Sequence, residues 1–350
     1  MDIKETLSGA KNIGILTRKS ANNDAIGASL ALFFALRGAG KKMCFPSSNL
    51  PKEIIAFANK KDGKQFQVTF SEEISEVYYE KKGKGLVLYL TPKNKSTSDE
   101  NFSCKVISGE GFFSSDYDIL FTIGINDFKE VEDLCDPDQL FSCAIINIDN
   151  NLNNQNYGEI NIIEDNQSLS QTIACLLKEI DEYTNKEANS FLLYGLSFSN
   201  KKTDNKKKLS TIKWLLKNGG DLSLFSGDSQ KNNLLEVILK NISYENDTYI
   251  STVSEDDFEK SKTTSKDLGF ITEKLKNFLN ISSFFILWES RTSPLSIKGL
   301  FYTNKQYIVK KIADRFKGIY KEKGGIFLTE ENKINIAKEK ILSYLNYGNN

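Results

Sequence analysis

The sequence predicts an α/β protein: a mainly parallel sheet flanked by helices, followed by a smaller α+β unit. Two patterns carry this reading. In the first half, short apolar runs bounded by polar loops alternate with longer helical segments, as expected of strands buried on both faces and joined by crossovers. Beyond residue 247 the order changes to helix, strand, strand, helix, strand, helix, which fits a compact unit of roughly a hundred residues. The 350 residues suffice for two cores. The boundary is placed at Asn246, giving a domain over 1–246, with a helical connector from about 168 to 246, and a second over 247–350.

The elements follow in order. NIGIL (12–16) is a short buried strand, RKSANND (18–24) a polar loop, and AIGASLALFFALRGAG (25–40) a helix of small and apolar residues closed by Gly38 and Gly40. KKMCFP (41–46) restarts a strand, and GLVLYL (85–90), DILFTI (118–123) and CAIINI (143–148) read as further strands of the same sheet. From Ser168 four helical segments succeed one another, at 168–183, 186–198, 209–220 and 232–242. Residues 247–267 read as a strand running into a polar loop. The second unit then reads as a helix at 270–280, strands at 282–290 and 296–303, a helix at 307–316, a glycine-containing strand stretch at 318–329 and a helix at 331–347.

Composition narrows the chemistry. Lys plus Arg equals Asp plus Glu, at 46 each, which argues against a surface that grips nucleic acid or anionic lipid throughout. No apolar run approaches the roughly 20 residues of a membrane span. The N-terminus lacks the apolar stretch of a signal peptide, so no membrane partner and a cytoplasmic location are expected. Five cysteines, Cys44, Cys104, Cys135, Cys143 and Cys175, are widely spaced and read as reduced thiols. There is no histidine at all. Chemistry that needs an imidazole base or ligand is therefore excluded.

In open α/β sheets, ligands bind beyond the carboxyl ends of the strands. The segments to inspect are Thr17–Gly27, the loop opening Gly124-Ile125-Asn126-Asp127, the loop Asp149–Asn154, and Gly195–Asn200 after an apolar helix. Read together, the first and third resemble the DHH phosphoesterase family of RecJ-type nucleases, oligoribonuclease/PAP phosphatases and cyclic-dinucleotide phosphodiesterases. That family opens with a strand, then His-x-x-Pro-Asp-Gly-Asp-Ala-Ile-Gly-Ser, then a helix. Here Arg18-Lys19-Ser20-Ala21-Asn22-Asn23-Asp24-Ala25-Ile26-Gly27-Ala28 stands in that setting. The family's name motif, a strand ending in Asp-His-His, is matched by Ile148-Asp149-Asn150-Asn151, with Asn154 and Gly158–Ile162 after it. In the carboxyl half, Leu300–Thr303, Lys317–Tyr320 and Gly324-Gly325 are similar to the strand and glycine-rich loop of the family's associated C-terminal domain.

The resemblance implies two divalent metals, usually Mn²⁺, held by two histidines and four aspartates. The matching positions here are Arg18, Asn22, Asp24, Gly124, Asn150 and Ser199, and only Asp24 keeps a carboxylate. Amide oxygens are weaker ligands for a transition metal, and a guanidinium repels one. Asp149 matches a supporting aspartate and reads as a loop-bonding residue. Asn151, Tyr302 and Tyr320 stand where the family has a histidine, a substrate-side arginine and a histidine. Arg18 is expected to pair with Asp24 where a metal stood. The expected protein is a non-catalytic homologue that needs no cofactor and binds a nucleotide, a short single strand or a protein partner. The alternative is a phosphodiesterase with one Mg²⁺ (or Mn²⁺) held by Asp24, Asp149, Asn22, Asn150 and Glu164 or Asp165, with Arg18 or Lys19 on the phosphate.

Other features read more simply. Lys201, Lys202, Lys206, Lys207 and Lys208 form a basic run that is either a solvated loop or a phosphate-contacting strip. Phe301, Tyr302 and Tyr320 are strand core or a base-stacking platform. Ser254-Glu255-Asp256-Asp257 is taken as a loop, and the asparagines of 150–156 suit turns and left-handed backbone.

Overall fold

The computed structural model describes residues 2–45, 51–52, 54, 64–70, 73–82, 85–93, 102–108, 117–180, 184–199, 204–224, 228–245, 247–279, 281–290 and 296–346. After a short helix α1 (Ile3–Gly9), strand β1 (Asn12–Thr17) leads through helix α2 (Asn23–Gly38) to β2 (Lys42–Cys44). The chain then makes β3 (Lys64–Phe70), β4 (Ile74–Lys82), β5 (Gly85–Pro92) and β6 (Phe102–Ser108) before β7 (Ile119–Ile123). Two short helices, α3 (Phe128–Glu132) and α4 (Pro137–Leu140), precede β8 (Ala144–Asp149) and β9 (Ile160–Ile163).

The first sheet has the order β2-β1-β7-β8-β9, and every neighbouring pair is parallel. This confirms the predicted α/β class. Alternate strand residues feed two cores. Ile13, Ile15, Phe121, Ile123, Ile146 and Ile148 face α2 and the helices α5 (Leu169–Ile180) and α6 (Lys186–Ser197). Leu16, Leu120 and Ile145 face the opposite layer, with Tyr117 and Cys44. Helix α2 is buried along every residue from Asp24 to Leu36. It packs tightly against α6 at Gly27 and Gly195, where a Cβ on Gly27 would lie 2.7 Å from the Gly195 Cα.

GLVLYL does not belong to this sheet. It forms β5, paired antiparallel with β4 in a two-stranded ribbon, and Leu88 and Tyr89 are exposed. An apolar run alone cannot specify its neighbours, and here the adjacent hairpin partner is taken.

Helices α7 (Asn205–Lys217) and α8 (Ser229–Asn241) lead into the second sheet: β10 (Ser243–Glu245), β11 (Thr248–Val253), β12 (Ser283–Ser290), β13 (Ser296–Thr303), β14 (Lys317–Lys321) and β15 (Gly324–Leu328). Its order is β10-β11-β12-β13-β15-β14, mixed, with β11 and β12 parallel. The sheet thus begins at Ser243, just before the expected boundary at 246, a residue outside those described. Phe284, Ile286 and Trp288 face the helical layer shared with the first sheet, and Phe285 and Leu287 face α11 (Gln306–Arg315) and α12 (Ile334–Asn346).

Residues 254–267 are not the expected loop. They form α9 (Glu255–Ser261) and a 3₁₀ turn ahead of α10 (Leu268–Leu279). Ser254 and Asp257 make a reciprocal capping box, so the acidic run is a helix start. Among the described residues, no helix is long and apolar enough to cross a membrane.

Candidate functional site

Strand β1 sits between β2, which follows it, and β7, reached after the chain crosses to the other side. That reversal opens a crevice beyond the carboxyl ends of β1 and β7. A cleft of about 250 Å³ lies there, and four of the six positions matched to metal ligands line it: Arg18, Asn22, Gly124 and Asn150. Asp149 and Asn151 line it as well, together with Ser20, Asn126 and Leu169, which the sequence reading did not single out.

Each side chain has an internal reason for its place. Asn22 caps α2, its Oδ1 accepting the Ala25 N–H at 2.9 Å. Gly124 is in the left-handed region (φ +67°), and a Cβ there would lie 3.0 Å from Leu169 Cδ1. The room a side chain would need at 124 is thus occupied by leucine. Asp149 is buried and accepts from the Asn150 N–H at 2.7 Å and from Asn154 Nδ2 at 2.8 Å. Asn154 also donates to the Ile125 carbonyl and accepts from Asn147 Nδ2. Asn154, the one buried asparagine of the stretch, thus joins Asn147 and Asp149 in a buried polar network that ties β8 to its loop, and Asn156 takes the left-handed turn (φ 52°). Asn150 Nδ2 donates to the Gln167 carbonyl at 3.2 Å, and Asn151 Oδ1 accepts from the Asn153 N–H.

Arg18 does not pair with Asp24. Its Nη2 donates to Asn126 Oδ1 at 3.0 Å, and its Nε lies 3.4 Å from Glu130 Oε1. Both partners of that ion pair are about one-third exposed, so it contributes little, roughly 0–1 kcal/mol. Asp24 is directed elsewhere: its two carboxylate oxygens accept the backbone N–H groups of Leu169 and Ser170, at 2.9 and 3.0 Å. It caps the start of α5, a role set by a contact 145 residues away in the chain. Burial pushes the Asp24 carboxyl up, against the opposing pull of Ser170, Leu169 and the Lys208 ammonium.

The remaining positions lie apart from the crevice. Ser199 is buried after α6, and its Oγ has no hydrogen-bond partner among the described residues. Lys201 and Lys202 lie outside the described residues. Lys206 and Lys207 are exposed in the first turn of α7. Lys208, in that turn, points inward and is 1% exposed, so the run is neither a uniform solvated loop nor a uniform strip. Burial pushes its amine down to about 8, with Asp24 pulling the other way. Glu164 and Asp165 are exposed and do not line the cleft. Tyr302 and Tyr320 are on the second sheet. The Tyr302 hydroxyl donates to Asn304 Oδ1, and the Tyr320 hydroxyl donates to the Phe316 carbonyl.

The donor set does not fit a pair of divalent ions. The crevice offers one carboxylate, Asp149, whose oxygens already hold two donors, with neutral amides and a guanidinium around it. Among the described residues no cluster of three or more His, Cys, Asp or Glu side chains is placed to hold a metal ion. What the crevice offers an anion is the Arg18 guanidinium and the amino end of α2, set against the one carboxylate of Asp149.

Fold and site together define a two-domain α/β protein with a crevice at the switch point of a parallel sheet. No family model and no curated protein matches the chain. Among solved structures it is similar to an exopolyphosphatase-related protein from Bacteroides fragilis, with 16% identity, a TM-score of 0.40, and coverage of 97% of this chain and 94% of that one. It is also similar to the "putative family II inorganic pyrophosphatase" of Methanococcus jannaschii, with 13% identity, a TM-score of 0.31, and coverage of 95% and 99%.

Proposed function

We propose that the chain is a degenerate, non-catalytic DHH-type phosphoesterase homologue that binds a phosphate-bearing ligand, a nucleotide or the end of a short oligonucleotide, in the crevice beside Arg18. The observation that carries this reading is the reassignment of Asp24. The one carboxylate retained among the six matched positions is consumed by the amides of Leu169 and Ser170. Two-metal hydrolysis needs a shared carboxylate cage that lowers the pKa of water and clamps both oxygens of the displacement. The motif resemblance of the loops at 18–28 and 148–162 supports the scaffold assignment. The crevice, at about 250 Å³, has room for a phosphate group and part of its ester rather than a whole nucleotide.

The test is calorimetric titration of metal-stripped protein with Mn²⁺ and Mg²⁺, followed by titration with nucleoside mono- and diphosphates. The expected result is no metal binding that depends on Asp24, and nucleotide binding lost in Arg18→Ala. Manganese-dependent phosphodiester hydrolysis abolished by Asp24→Asn would overturn the reading. The competing reading, a phosphodiesterase with a single Mg²⁺, draws on Asp149, which lines the crevice next to Asn22 and Asn150. It requires Mg²⁺ binding that disappears in Asp149→Asn.

A further inference from the structure

The second sheet leaves part of one face uncovered. Helix α10 approaches that face at β13, where Lys276 Nζ sits 3.8 Å from the Tyr302 ring centre and Leu300 is half-buried. Beyond it, Leu300 on β13 is paired with Ile326 on β15, and Ile326 with Ile319 on β14. Directly opposed residues share a face, so the three form an aliphatic row across the strands. Ile319 is 76% exposed and Ile326 is 47% exposed. A cleft of about 500 Å³ lies between this row and α10.

The surroundings of the row are cationic. Lys276, Lys321 and Lys323 line the cleft with one carboxylate, Glu273, which is paired with Lys276, while Lys317 stands on β14 and Glu322 is the one carboxylate in the 317–323 stretch. Lys317, Lys321 and Lys323 are solvent-exposed. An exposed aliphatic row beside lysines that have no ion-pair partner among the described residues marks an interaction surface. Its chemistry separates two classes of partner. A nucleic-acid strand would need π faces for its bases, but Lys276 covers the Tyr302 ring and the rest of the row is aliphatic. A polypeptide that carries leucine- or isoleucine-like anchors between carboxylates matches both the row and its rim.

We propose that this cleft docks an acidic, apolar-anchored segment of a partner protein. The docking surface is separate from the crevice beside Arg18 and does not depend on what binds there.

The experiment is fluorescence anisotropy on the full chain with three probes: a short peptide alternating Glu and Leu, polyglutamate of the same length, and an oligouridylate of the same charge. Ile319→Asp and the double variant Lys321→Glu/Lys323→Glu change exposed positions only, and Ile319→Ala provides a milder second apolar variant. The Glu/Leu peptide is expected to bind the wild type and not to be matched by polyglutamate. Ile319→Asp and the double charge reversal should each weaken it about tenfold or more, with Ile319→Ala in between. The proposal is overturned if the Glu/Leu peptide does not bind, if polyglutamate or oligouridylate binds as tightly, or if the variants leave its binding unchanged.

Discussion

Replacing Lys208 by methionine should stabilise the protein at neutral pH, and the advantage should vanish in alkali. The Lys208 side chain is 1% exposed and its Nζ has no hydrogen-bond partner among the described residues. Burial lowers its pKa from 10.5 to about 8. The folded value lies below the unfolded one, so between pH 8 and 10.5 the unfolded chain holds a proton that the folded chain has released. Stability then rises with pH across that window. Below about pH 8 the buried ammonium imposes its full cost; above 10.5 the cost is gone. At ~1.4 kcal/mol per pH unit, the gap from 10.5 to about 8 amounts to about 3 kcal/mol. Methionine is similar in length and carries no charge, although it also deprives Asp24 of its nearby cation. The assay is urea unfolding of wild type and Lys208→Met from pH 7 to 10.5. Other titrating groups are common to both proteins and cancel in the difference, except Asp24, whose carboxyl the Lys208 ammonium pulls down. The stability difference should shift by about 3 kcal/mol in favour of the wild type as pH rises. A difference that stays flat with pH would refute the reasoning, because the amine would then be hydrated or already neutral.

Asp24→Ala should cost about 3 kcal/mol or more in chemical denaturation, since it strands the Leu169 and Ser170 amides and leaves Lys208 as an uncompensated buried charge; a loss below ~1 kcal/mol would show that the cap is dispensable. Gly195→Ala should destabilise by about 2 kcal/mol, because its Cβ would lie 1.9 Å from Ser170 Oγ and 3.1 Å from the Asp24 carbonyl, with no flexible side chain to yield on the backbone side; thermal melting checks it. Thiol labelling of the native protein at pH 8 should reach Cys175 well before Cys135 or Cys143, which are buried and pushed up to about 11. Labelling of Cys135 or Cys143 as fast as Cys175 would contradict that burial.

The sequence shows the fold where one physical rule dominates. Runs such as DILFTI and CAIINI are buried on both faces, and only a covered parallel sheet does that. The crevice was legible for a similar reason: polar loops at the carboxyl ends of such strands have one place to converge. What the sequence could not show depends on long-range geometry. Asp24 finds its partner 145 residues away, so two positions matched to neighbouring metal ligands did not become an ion pair with each other. Lys206, Lys207 and Lys208 look alike as a basic run, yet one turn of helix sends the third inward. GLVLYL has the composition of a core strand, but its partner is the adjacent, exposed β4. The capping box at Ser254 and Asp257 was readable from the four residues alone and would have turned the acidic loop into a helix start.

The order of the first sheet also sets the terms on which the chain can fold. β1 pairs with β2 over only three residues, and its main partner β7 begins at Ile119. Ile13 must therefore wait for a strand more than a hundred positions later, which raises contact order and slows the search. During synthesis, α2 leaves the ribosome long before that strand exists. Every residue from Asp24 to Leu36 is destined for the interior, so the emerging segment has no wettable side to present. A nascent chain in that state is a natural client for a holding chaperone until residue 197 has been made and the central strands, with α5 and α6, can enclose it.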